Sequence, residues 1–271
     1  METMQKLLVI GCGNMGAALA AGFAAAHPSA QVVALDSDPQ RARALLPAGV
    51  AVAVYRQPSE LAGFRPDTVI FALKPQVLGA ALAEFIPLVA GALVISVAAG
   101  VSLARLSELL GGHRRVVRAM PNLPVVVRQG MTTLYGEALT AADAAACAAV
   151  FSAVGQVAWV DREVQIDVAT AIAGSGPAYF FALVEQLALA GAGEGLPPDL
   201  ARRLAAQTCI GAASLLQHDG RDAAALKAAV CSPRGTTEAG LAAMEMPDGL
   251  PRVVAAGVHA AHLRSRELAA A

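Results

Sequence analysis

Short segments made almost entirely of apolar residues alternate with helical patterns along the first 160 residues of the chain. The apolar segments, which predict β-strands, are 7–10, 32–35, 68–73, 93–97, 116–118 and 131–135. The helical patterns between them cover residues 17–26, 39–46, 77–89 and 103–110. Because the strands are apolar on both faces and alternate with helices, they predict a parallel sheet that is covered by helices on both sides.

The pattern changes near residue 161, and only helical patterns follow. The helices predicted in this half are 167–173, 178–191, 198–217, 223–230, 236–244 and 251–268. Pro177, Pro198 and Pro251 stand where helices would begin, and proline suits the first turn of a helix. The sequence therefore predicts an α/β protein with two domains, a sheet-containing domain in residues 1–160 and an all-helical domain in residues 161–271.

The composition excludes several classes of protein. Among the 271 residues, 56% are hydrophobic and only 4% are aromatic, and the formal net charge is −1. This charge balance does not favour binding to nucleic acid or to an anionic membrane. We find no apolar stretch of about 18 residues without strong polar breakers, and we therefore expect no membrane span.

The cysteines give no sign of a metal site or of a disulfide framework. Cys12, Cys147, Cys209 and Cys231 show neither C-x-x-C pairing nor metal-like spacing to histidine. Buried free thiols are typical of a reducing compartment. We expect a cytoplasmic protein with no bound metal.

Three glycines follow the first predicted strand in a pattern that carries chemistry. Gly11, Gly13 and Gly16 form G-x-G-x-x-G at the start of the next helix. In this pattern the first glycine allows a tight turn, the second lets a pyrophosphate approach the backbone, and the third lets the helix pack closely on the strand. Asp36 ends the second strand, where an acidic residue binds ribose hydroxyls. Residues 1–160 are therefore predicted to be a doubly wound, Rossmann-type dinucleotide-binding domain.

Asp36 also bears on the choice between NADH and NADPH. A carboxylate at this position accepts hydrogen bonds from the ribose 2′-hydroxyl and repels a 2′-phosphate, which favours NADH. Ser37, Arg41 and Arg43 follow closely and could still accept a phosphate. The two arginines would equally suit the exposed face of a helix, so the sequence is compatible with either NADH or NADPH.

Five further segments narrow the family. They are Phe-Ala-Leu-Lys-Pro-Gln at 71–76, Ser-Val-Ala-Ala-Gly-Val at 96–101, Arg-Ala-Met-Pro-Asn-Leu-Pro at 118–124, Ala-Gly-Ser-Gly-Pro-Ala-Tyr-Phe at 173–180, and Ser-Pro-Arg-Gly-Thr-Thr-Glu-Ala-Gly at 232–240. Together with the glycine loop, they resemble the pyrroline-5-carboxylate reductase family as far as about Met244. The last two segments are the most specific, since many dehydrogenases share the glycine loop.

The resemblance implies an oxidoreductase that uses NADPH or NADH. It would transfer a hydride to the C=N bond of 1-pyrroline-5-carboxylate and give L-proline, the last step of proline biosynthesis. The residues expected to bind the cofactor are Gly11, Cys12, Gly13, Asn14, Met15, Gly16, Asp36, Ser37, Leu73, Lys74, Pro75, Ala99, Gly100 and Asn122. From the residues alone, Lys74 would also suit a solvent-exposed loop, and Asn122 a turn.

The resemblance also implies a substrate site in the helical half. Ser232, Gly235, Thr236 and Thr237 would bind the substrate, and Glu163 matches an acidic position near it. The segment predicts a loop that leads into a helix, and the free N–H groups at the start of that helix suit a carboxylate. An ordinary capped helix would show the same sequence pattern. By the same resemblance, the Thr237 hydroxyl orients the ring nitrogen, which makes Thr237 the candidate catalytic residue.

Two residues of this segment depart from the family pattern. The family often has glycine where Arg234 stands and an apolar residue where Glu238 stands. Neither change removes a proposed contact, but both alter the local charge. Arg234 would either crowd the segment or point to solvent.

The Ala-rich helix after Gly174-Ser175-Gly176-Pro177 is suited to tight packing against another subunit. The resemblance implies that the C-terminal helical domain mediates dimerisation. We expect a homo-oligomer, either a dimer or a ring of dimers, that acts on a small-molecule substrate.

Two other functions fit parts of the sequence. A β-hydroxyacid dehydrogenase shares the two-domain plan but needs a catalytic lysine in the second domain, where Lys227 is the only lysine and lacks the usual asparagine one turn later. A non-catalytic NAD(P)-binding sensor would keep the glycine loop without the substrate segment. The intact segment 232–237 argues against the sensor.

Overall fold

The computed structural model describes residues 6–270, and for residues 80, 81 and 270 it describes only the backbone. The chain divides into two compact units. The first contains the described residues up to Ser175 and those from Ala261 onwards, and the second is Gly176–Ala260. The sequence predicted a boundary at residue 160, whereas the compact units divide between Ser175 and Gly176, and the end of the chain returns to the first unit.

The first unit contains the sheet. Its strands are β1 Lys6–Ile10, β2 Gln31–Leu35, β3 Val52–Tyr55, β4 Thr68–Phe71, β5 Leu93–Ser96, β6 Val116–Pro121, β7 Gly130–Gly136 and β8 Gly155–Trp159. Within residues 6–270 they form one eight-stranded sheet in the order β3-β2-β1-β4-β5-β6-β7-β8. The chain order reverses between β1 and β4, and this switch point is where doubly wound sheets bind ligands.

The pairing is parallel throughout except between β6 and β7, which are antiparallel. The antiparallel pair is possible because only a short 3₁₀ turn, Leu123–Val127, connects the two strands, and a parallel crossover needs a longer connection. The doubly wound sheet predicted from the sequence is confirmed, with the last two strands, β7 and β8, running opposite to the other six.

Helices cover both faces of the sheet. In the first unit they are α1 Asn14–Ala26, α2 Pro39–Leu45, α3 Pro75–Val89, α4 Leu103–Leu109, α5 Ala141–Ser152 and α6 Gln165–Ala169. On one face, Phe23 of α1 and Phe151 of α5 are buried in one cluster with Ile70. On the other, Phe85 of α3 meets Phe71 edge to face with the ring centroids 5.9 Å apart. Each fully buried side chain of this size contributes about 1.5–3 kcal/mol, so these two layers stabilise the sheet that positions the site.

Three elements of this unit were missing from the sequence prediction, namely β3, β8 and α5. A further difference lies where helix 167–173 was predicted. There α6 ends at Ala169, and the π-helical turn Thr170–Gly174 follows, closed by a 2.9 Å hydrogen bond from the Ser175 N–H to the Thr170 carbonyl. Single π-helical turns are frequent near functional sites.

The second unit is all helical, as predicted. Its helices are α7 Gly176–Gly193, α8 Pro198–His218, α9 Ala223–Val230 and α10 Thr236–Met244, followed by the first half of α11 Leu250–Ala270. Small residues let α7 and α8 approach closely, since a Cβ on Gly191 would lie 3.6 Å from that of Ala201. Much of the apolar surface of this unit is open in the single chain, and Phe180 and Phe181 are 62% and 63% exposed.

By length and composition alone, the 29 residues Gln165–Gly193 are apolar enough to cross a membrane. No such stretch was expected from the sequence. Of the described helices this is the one that passes the test, and buried helices of soluble proteins pass it too.

Candidate functional site

The glycine loop follows β1 at the switch point of the sheet. Gly11 has a φ of +89°, which favours glycine, and a Cβ there would lie 2.7 Å from the carbonyl oxygen of Ala72. Its N–H donates to the Leu35 carbonyl over 2.8 Å. A Cβ on Gly16 would lie only 2.0 Å from the Gly11 carbonyl oxygen. The tight turn and the close approach of helix and strand are therefore both present.

Gly13 differs from its two neighbours because the space beside it is open. A Cβ at this position would meet nothing within 4 Å. Gly13 is the N-cap of α1, provides no side-chain cap, and is followed by a first turn without acidic residues. The N-terminus of α1 thus has open space beside Gly13 and no side-chain cap. This arrangement fits the pyrophosphate of a dinucleotide, with Asn14 and Met15 in the first turn.

Asp36 is buried at the end of β2, and its carboxylate is held in place by the protein. Its two oxygens accept the N–H groups of Cys12, over 2.8 Å, and of Asp38, over 2.9 Å. The guanidinium of Arg41, itself largely exposed, pairs with the carboxylate at 3.2 Å. Ser37 is exposed beside it. The carboxylate is thus fixed next to the glycine loop, and the cation that pairs with it is Arg41.

The thiol of Cys12 is not a reactive group in this loop. Burial, reinforced by the negative charge of Asp36, raises its pKa to about 11, although Arg41 acts in the opposite direction. The thiol is therefore protonated at neutral pH, and Cys12 would contribute to the site through its backbone.

The loop after β4 holds the next predicted cofactor residues at the carboxyl edge of the sheet. Leu73 packs on the glycine loop, with its Cδ2 2.8 Å from where a Gly11 Cβ would stand. Lys74 is the exposed N-cap of α3, and Pro75 is the first residue of that helix. Lys74 is thus exposed at the edge where the sequence predicts a cofactor contact.

The loop after β5 contains Ala99 and Gly100. Gly100 has a φ of +73°, and a Cβ on it would lie 2.8 Å from the carbonyl oxygen of Leu268 in the last turns of α11. The end of the chain thus contacts a predicted cofactor loop, a contact that sequence spacing could not reveal.

Asn122 is buried at the end of β6, and its amide bonds to the protein. Its Oδ1 accepts the Met131 N–H over 2.8 Å, and its Nδ2 donates to the Ala173 carbonyl over 3.0 Å. Asn122 therefore ties the carboxyl end of β6 to β7 and to the π-helical turn. These bonds are of the kind expected of a turn-stabilising asparagine, and cofactor binding by Asn122 stays a prediction.

Glu163 lies in the first unit, whereas the other predicted substrate residues lie in the second. Its Oε1 accepts from Arg118 Nη1 and from the N–H of Leu103, each over 2.8 Å. Arg118 was not singled out from the sequence, because a lone arginine in an apolar strand carries no recognisable spacing signal. The other terminal nitrogen of Arg118 is buried and has no hydrogen-bond partner among the described residues.

The predicted substrate segment is a turn that leads into α10. The Gly235 N–H donates to the Ser232 carbonyl over 2.9 Å, and a Cβ on Gly235 would lie 2.3 Å from Ser232 Oγ. Gly235 is the N-cap of α10 and provides no side-chain cap, while Thr236 and Thr237 form its first turn. The structure brings these four residues together at an open helix N-terminus, which suits an anion.

Arg234 has a φ of +59°, which explains why glycine is common there in the family. Its backbone N–H donates to the carboxylate of Glu238. The two departures from the family pattern are therefore in contact with each other.

Lys227, the lysine required by the dehydrogenase alternative, is held in an ion pair. Its Nζ lies 2.5 Å from Glu245 Oε1, and this hydrogen bond raises the pKa of Lys227 further. A lysine stabilised as a cation is a poor proton acceptor, which weighs against that alternative. Among residues 6–270, no three His, Cys, Asp or Glu side chains are grouped as metal ligands.

Two sequence families match separate parts of the chain. The family described as pyrroline-5-carboxylate reductase dimerisation matches residues 163–268. The family described as NADP oxidoreductase coenzyme F420-dependent matches residues 6–100. The first match includes the substrate segment, and the second includes the glycine loop and Asp36.

Individual relatives are similar over nearly the whole chain. The pyrroline-5-carboxylate reductase of Pseudomonas aeruginosa is 39% identical over 267 residues, which is 97% of each chain. The structure of a pyrroline-5-carboxylate reductase from Coxiella burnetii is similar with a TM-score of 0.89 and 30% identity, over 98% of this chain and 99% of that one. The Plasmodium falciparum pyrroline carboxylate reductase, solved with NADP bound, gives a TM-score of 0.80 and 28% identity over 99% of both chains.

Proposed function

The chain belongs to the pyrroline-5-carboxylate reductase family, and we propose that it reduces 1-pyrroline-5-carboxylate to L-proline with NADH or NADPH. The observation that carries the proposal is the intact segment 232–237, folded as an open helix N-terminus in a chain related to these enzymes over almost its full length. A sensor that binds a nucleotide without turnover would have no use for this segment.

The first unit supplies the residues that would hold the cofactor. The pyrophosphate would lie on the free N–H groups of α1 beside Gly13, and the Asp36 carboxylate would bind the adenine ribose. Lys74, Ala99 and Gly100 would contact it from the neighbouring strand ends. When bound, the reduced nicotinamide supplies the hydride.

We propose that α10 holds the substrate by its carboxylate. The backbone N–H groups of Thr236 and Thr237 at the uncapped N-terminus would bind the anion, with a further bond from the Ser232 hydroxyl. The Thr237 hydroxyl would then bond the ring nitrogen and orient the C=N carbon. A protonated imine is already activated toward hydride, so the site needs no strong acid, and binding and orientation are what this chain's residues contribute.

We propose that NADH is the preferred cofactor and that NADPH is accepted more weakly. The support is the Asp36 carboxylate, buried and fixed by two backbone N–H groups in a position that repels a 2′-phosphate. Arg41 offsets part of that repulsion and gives NADPH a cation to bind.

We also propose that the helical unit pairs with a second copy of the chain, in the cytoplasm. Its exposed apolar residues, including Phe180 and Phe181, are more than a soluble monomer usually leaves open. The match of residues 163–268 to a dimerisation family favours burial of this surface against protein rather than lipid.

The test is a direct assay. Purified protein should oxidise NADH, and NADPH more slowly, when 1-pyrroline-5-carboxylate is added. Thr237→Val keeps the side-chain shape but removes the hydroxyl, and it should lower kcat/KM roughly 10- to 100-fold, the effect of losing one hydrogen bond to a charged group. Thr237→Ser keeps the hydroxyl and should retain most activity.

Two outcomes would contradict the proposal. Oxidation of hydroxyacids without any turnover of the cyclic imine would favour the dehydrogenase alternative. Tight NAD(P)H binding without turnover of any imine would favour the sensor.

A further inference from the structure

We infer that Glu163 and Arg118 form a positioning pair that fixes the cofactor loop 97–102, and that Glu163 acts on cofactor binding rather than on the substrate carboxylate. The inference rests on the proposed function only in assigning Ala99 and Gly100 to the cofactor.

Arg118 lies inside the sheet, where a lone cation is costly. It belongs to β6 and is aligned with Ser96 of β5 and Tyr135 of β7. The residue is only 5% exposed. A buried guanidinium needs a counter-charge, and Glu163 provides it at 2.8 Å. The ion pair with Arg118 therefore fixes the position of the Glu163 carboxylate.

The same carboxylate oxygen holds the end of the cofactor loop. Glu163 Oε1 accepts the N–H of Leu103, the first residue of α4, over 2.8 Å. Ser102 is the N-cap of α4, and its Oγ accepts the Arg105 N–H over 3.2 Å. A negative charge at a helix N-terminus is favourable, so Glu163 both satisfies a donor and anchors the start of α4.

The loop is fixed at its start and middle as well. The Val97 N–H donates to the Phe71 carbonyl over 3.1 Å, and the Ala98 N–H to Ser96 Oγ over 3.3 Å. In the middle of the loop, Gly100 lies so close to the Leu268 carbonyl that a Cβ on it would be 2.8 Å from that oxygen. Glu163 is thus a charged side chain that holds the far end of a loop whose backbone would face the cofactor.

Removal of the carboxylate has a predictable consequence. It leaves the Leu103 N–H without its acceptor and Arg118, already with one unpartnered nitrogen, without its counter-charge. The end of the loop is then released. Misplacement of a binding loop by about 1 Å is enough to cost about 100-fold in rate.

The experiment measures cofactor binding without substrate. The dissociation constant of NADH is followed by nicotinamide fluorescence for the full-length wild type, Glu163→Ala and Glu163→Gln, well below each melting temperature. Glu163→Ala should raise the constant about tenfold, and Glu163→Gln, whose amide oxygen can still accept the Leu103 N–H, should raise it less. At saturating NADH, the KM for 1-pyrroline-5-carboxylate should stay within about twofold of wild type.

The matched control is Glu108→Ala, which removes an exposed ion pair with Arg105 from the same helix and should leave NADH binding unchanged. An unchanged dissociation constant in Glu163→Ala, or a raised substrate KM with normal NADH binding, would overturn the inference. Because binding is measured without substrate, this result is independent of whether the chain reduces the imine.

Discussion

The carboxylate of Glu238 accepts a hydrogen bond from the backbone N–H of Arg234, at the N-terminus proposed to bind the substrate carboxylate. The contact places a negative charge of the protein beside the site of an anionic ligand. It also supports a residue in the left-handed region, where φ is +59° and glycine would be free of strain. Arg234 and Glu238, the two departures from the family pattern, therefore form a hydrogen-bonded pair.

Replacing Glu238 by an apolar residue should strengthen substrate binding. Glu238→Leu removes a like charge and frees the Arg234 N–H, so the KM for 1-pyrroline-5-carboxylate should fall about 3- to 10-fold, the effect of roughly 1 kcal/mol. Steady-state kinetics at saturating NADH measure the change. Glu238→Gln separates the two causes, because the amide keeps the acceptor and loses the charge. A KM that rises in Glu238→Leu would show that the carboxylate supports the segment instead of competing with the substrate.

The Asp36 and Arg41 pair should set the ratio of NADH to NADPH use. Asp36→Ala removes the charge that repels a 2′-phosphate and releases Arg41 to bind it. The ratio of kcat/KM for NADPH to that for NADH should rise about tenfold or more, since one displaced ion contact is worth roughly 1.4 kcal/mol. Arg41→Ala is the reciprocal variant and should lower the same ratio. Equal ratios in all three proteins would refute the assignment of both residues.

The parts predicted from the sequence are those with a local signal. The strands β1, β2, β4 and β5 are continuous apolar runs, and the glycine loop has a fixed spacing. The strands β3 and β8 were missed because they are short edge strands that lack the fully buried apolar runs of the central strands. The helix α5 was missed because its alanines show no periodicity, although the capping box of Thr140 and Asp143 could have indicated its start.

The contacts that fix the site were beyond prediction because they join distant parts of the chain. Arg118 and Glu163 lie 45 residues apart, and neither position carries a motif that points to the other. Glu163 was assigned to the substrate by resemblance, whereas its contacts in the structure are with Arg118 and Leu103. The contact of Gly100 with Leu268 depends on the return of the chain end to the first unit.

Alanine at Gly13 and at Gly16 should have opposite consequences. Gly13→Ala meets open space at an ordinary φ of −74°, so folding should be unaffected, but the methyl group fills the room left for a pyrophosphate. Its NADH dissociation constant should rise at least about tenfold while the melting temperature stays constant. Gly16→Ala places a Cβ against the Gly11 carbonyl and should destabilise the fold by about 1–3 kcal/mol. Equal melting temperatures for the two variants would contradict this division of roles.

The pH dependence of stability should report on Asp143, which caps α5. Burial alone raises the pKa of its carboxyl, but the hydrogen bonds from Arg115 at 2.6 Å and from Thr140 outweigh burial and hold the pKa below its usual range. A carboxyl with a depressed folded pKa stabilises the fold above its unfolded pKa of about 3.9, and that contribution is lost as the pH falls through the folded value. Asp143→Asn should therefore lower the free energy of unfolding at pH 7 by about 1.5–3 kcal/mol, the range for hydrogen bonds to a charged group.

The difference in the free energy of unfolding between wild type and Asp143→Asn should then decrease steadily below about pH 4. Protonation of Asp143 removes the carboxylate charge from the wild type, and the substitution has already removed it from the variant. Urea unfolding at pH 7, 5, 4 and 3 measures it, at one protein concentration because subunit association also stabilises the fold. Asp219→Asn is the control. Arg221 also lowers the pKa of Asp219, but this pair lies at the surface, so its loss should change stability far less. A gap between wild type and Asp143→Asn that stays constant down to pH 3 would mean that the buried carboxylate stabilises the fold by packing and not by charge.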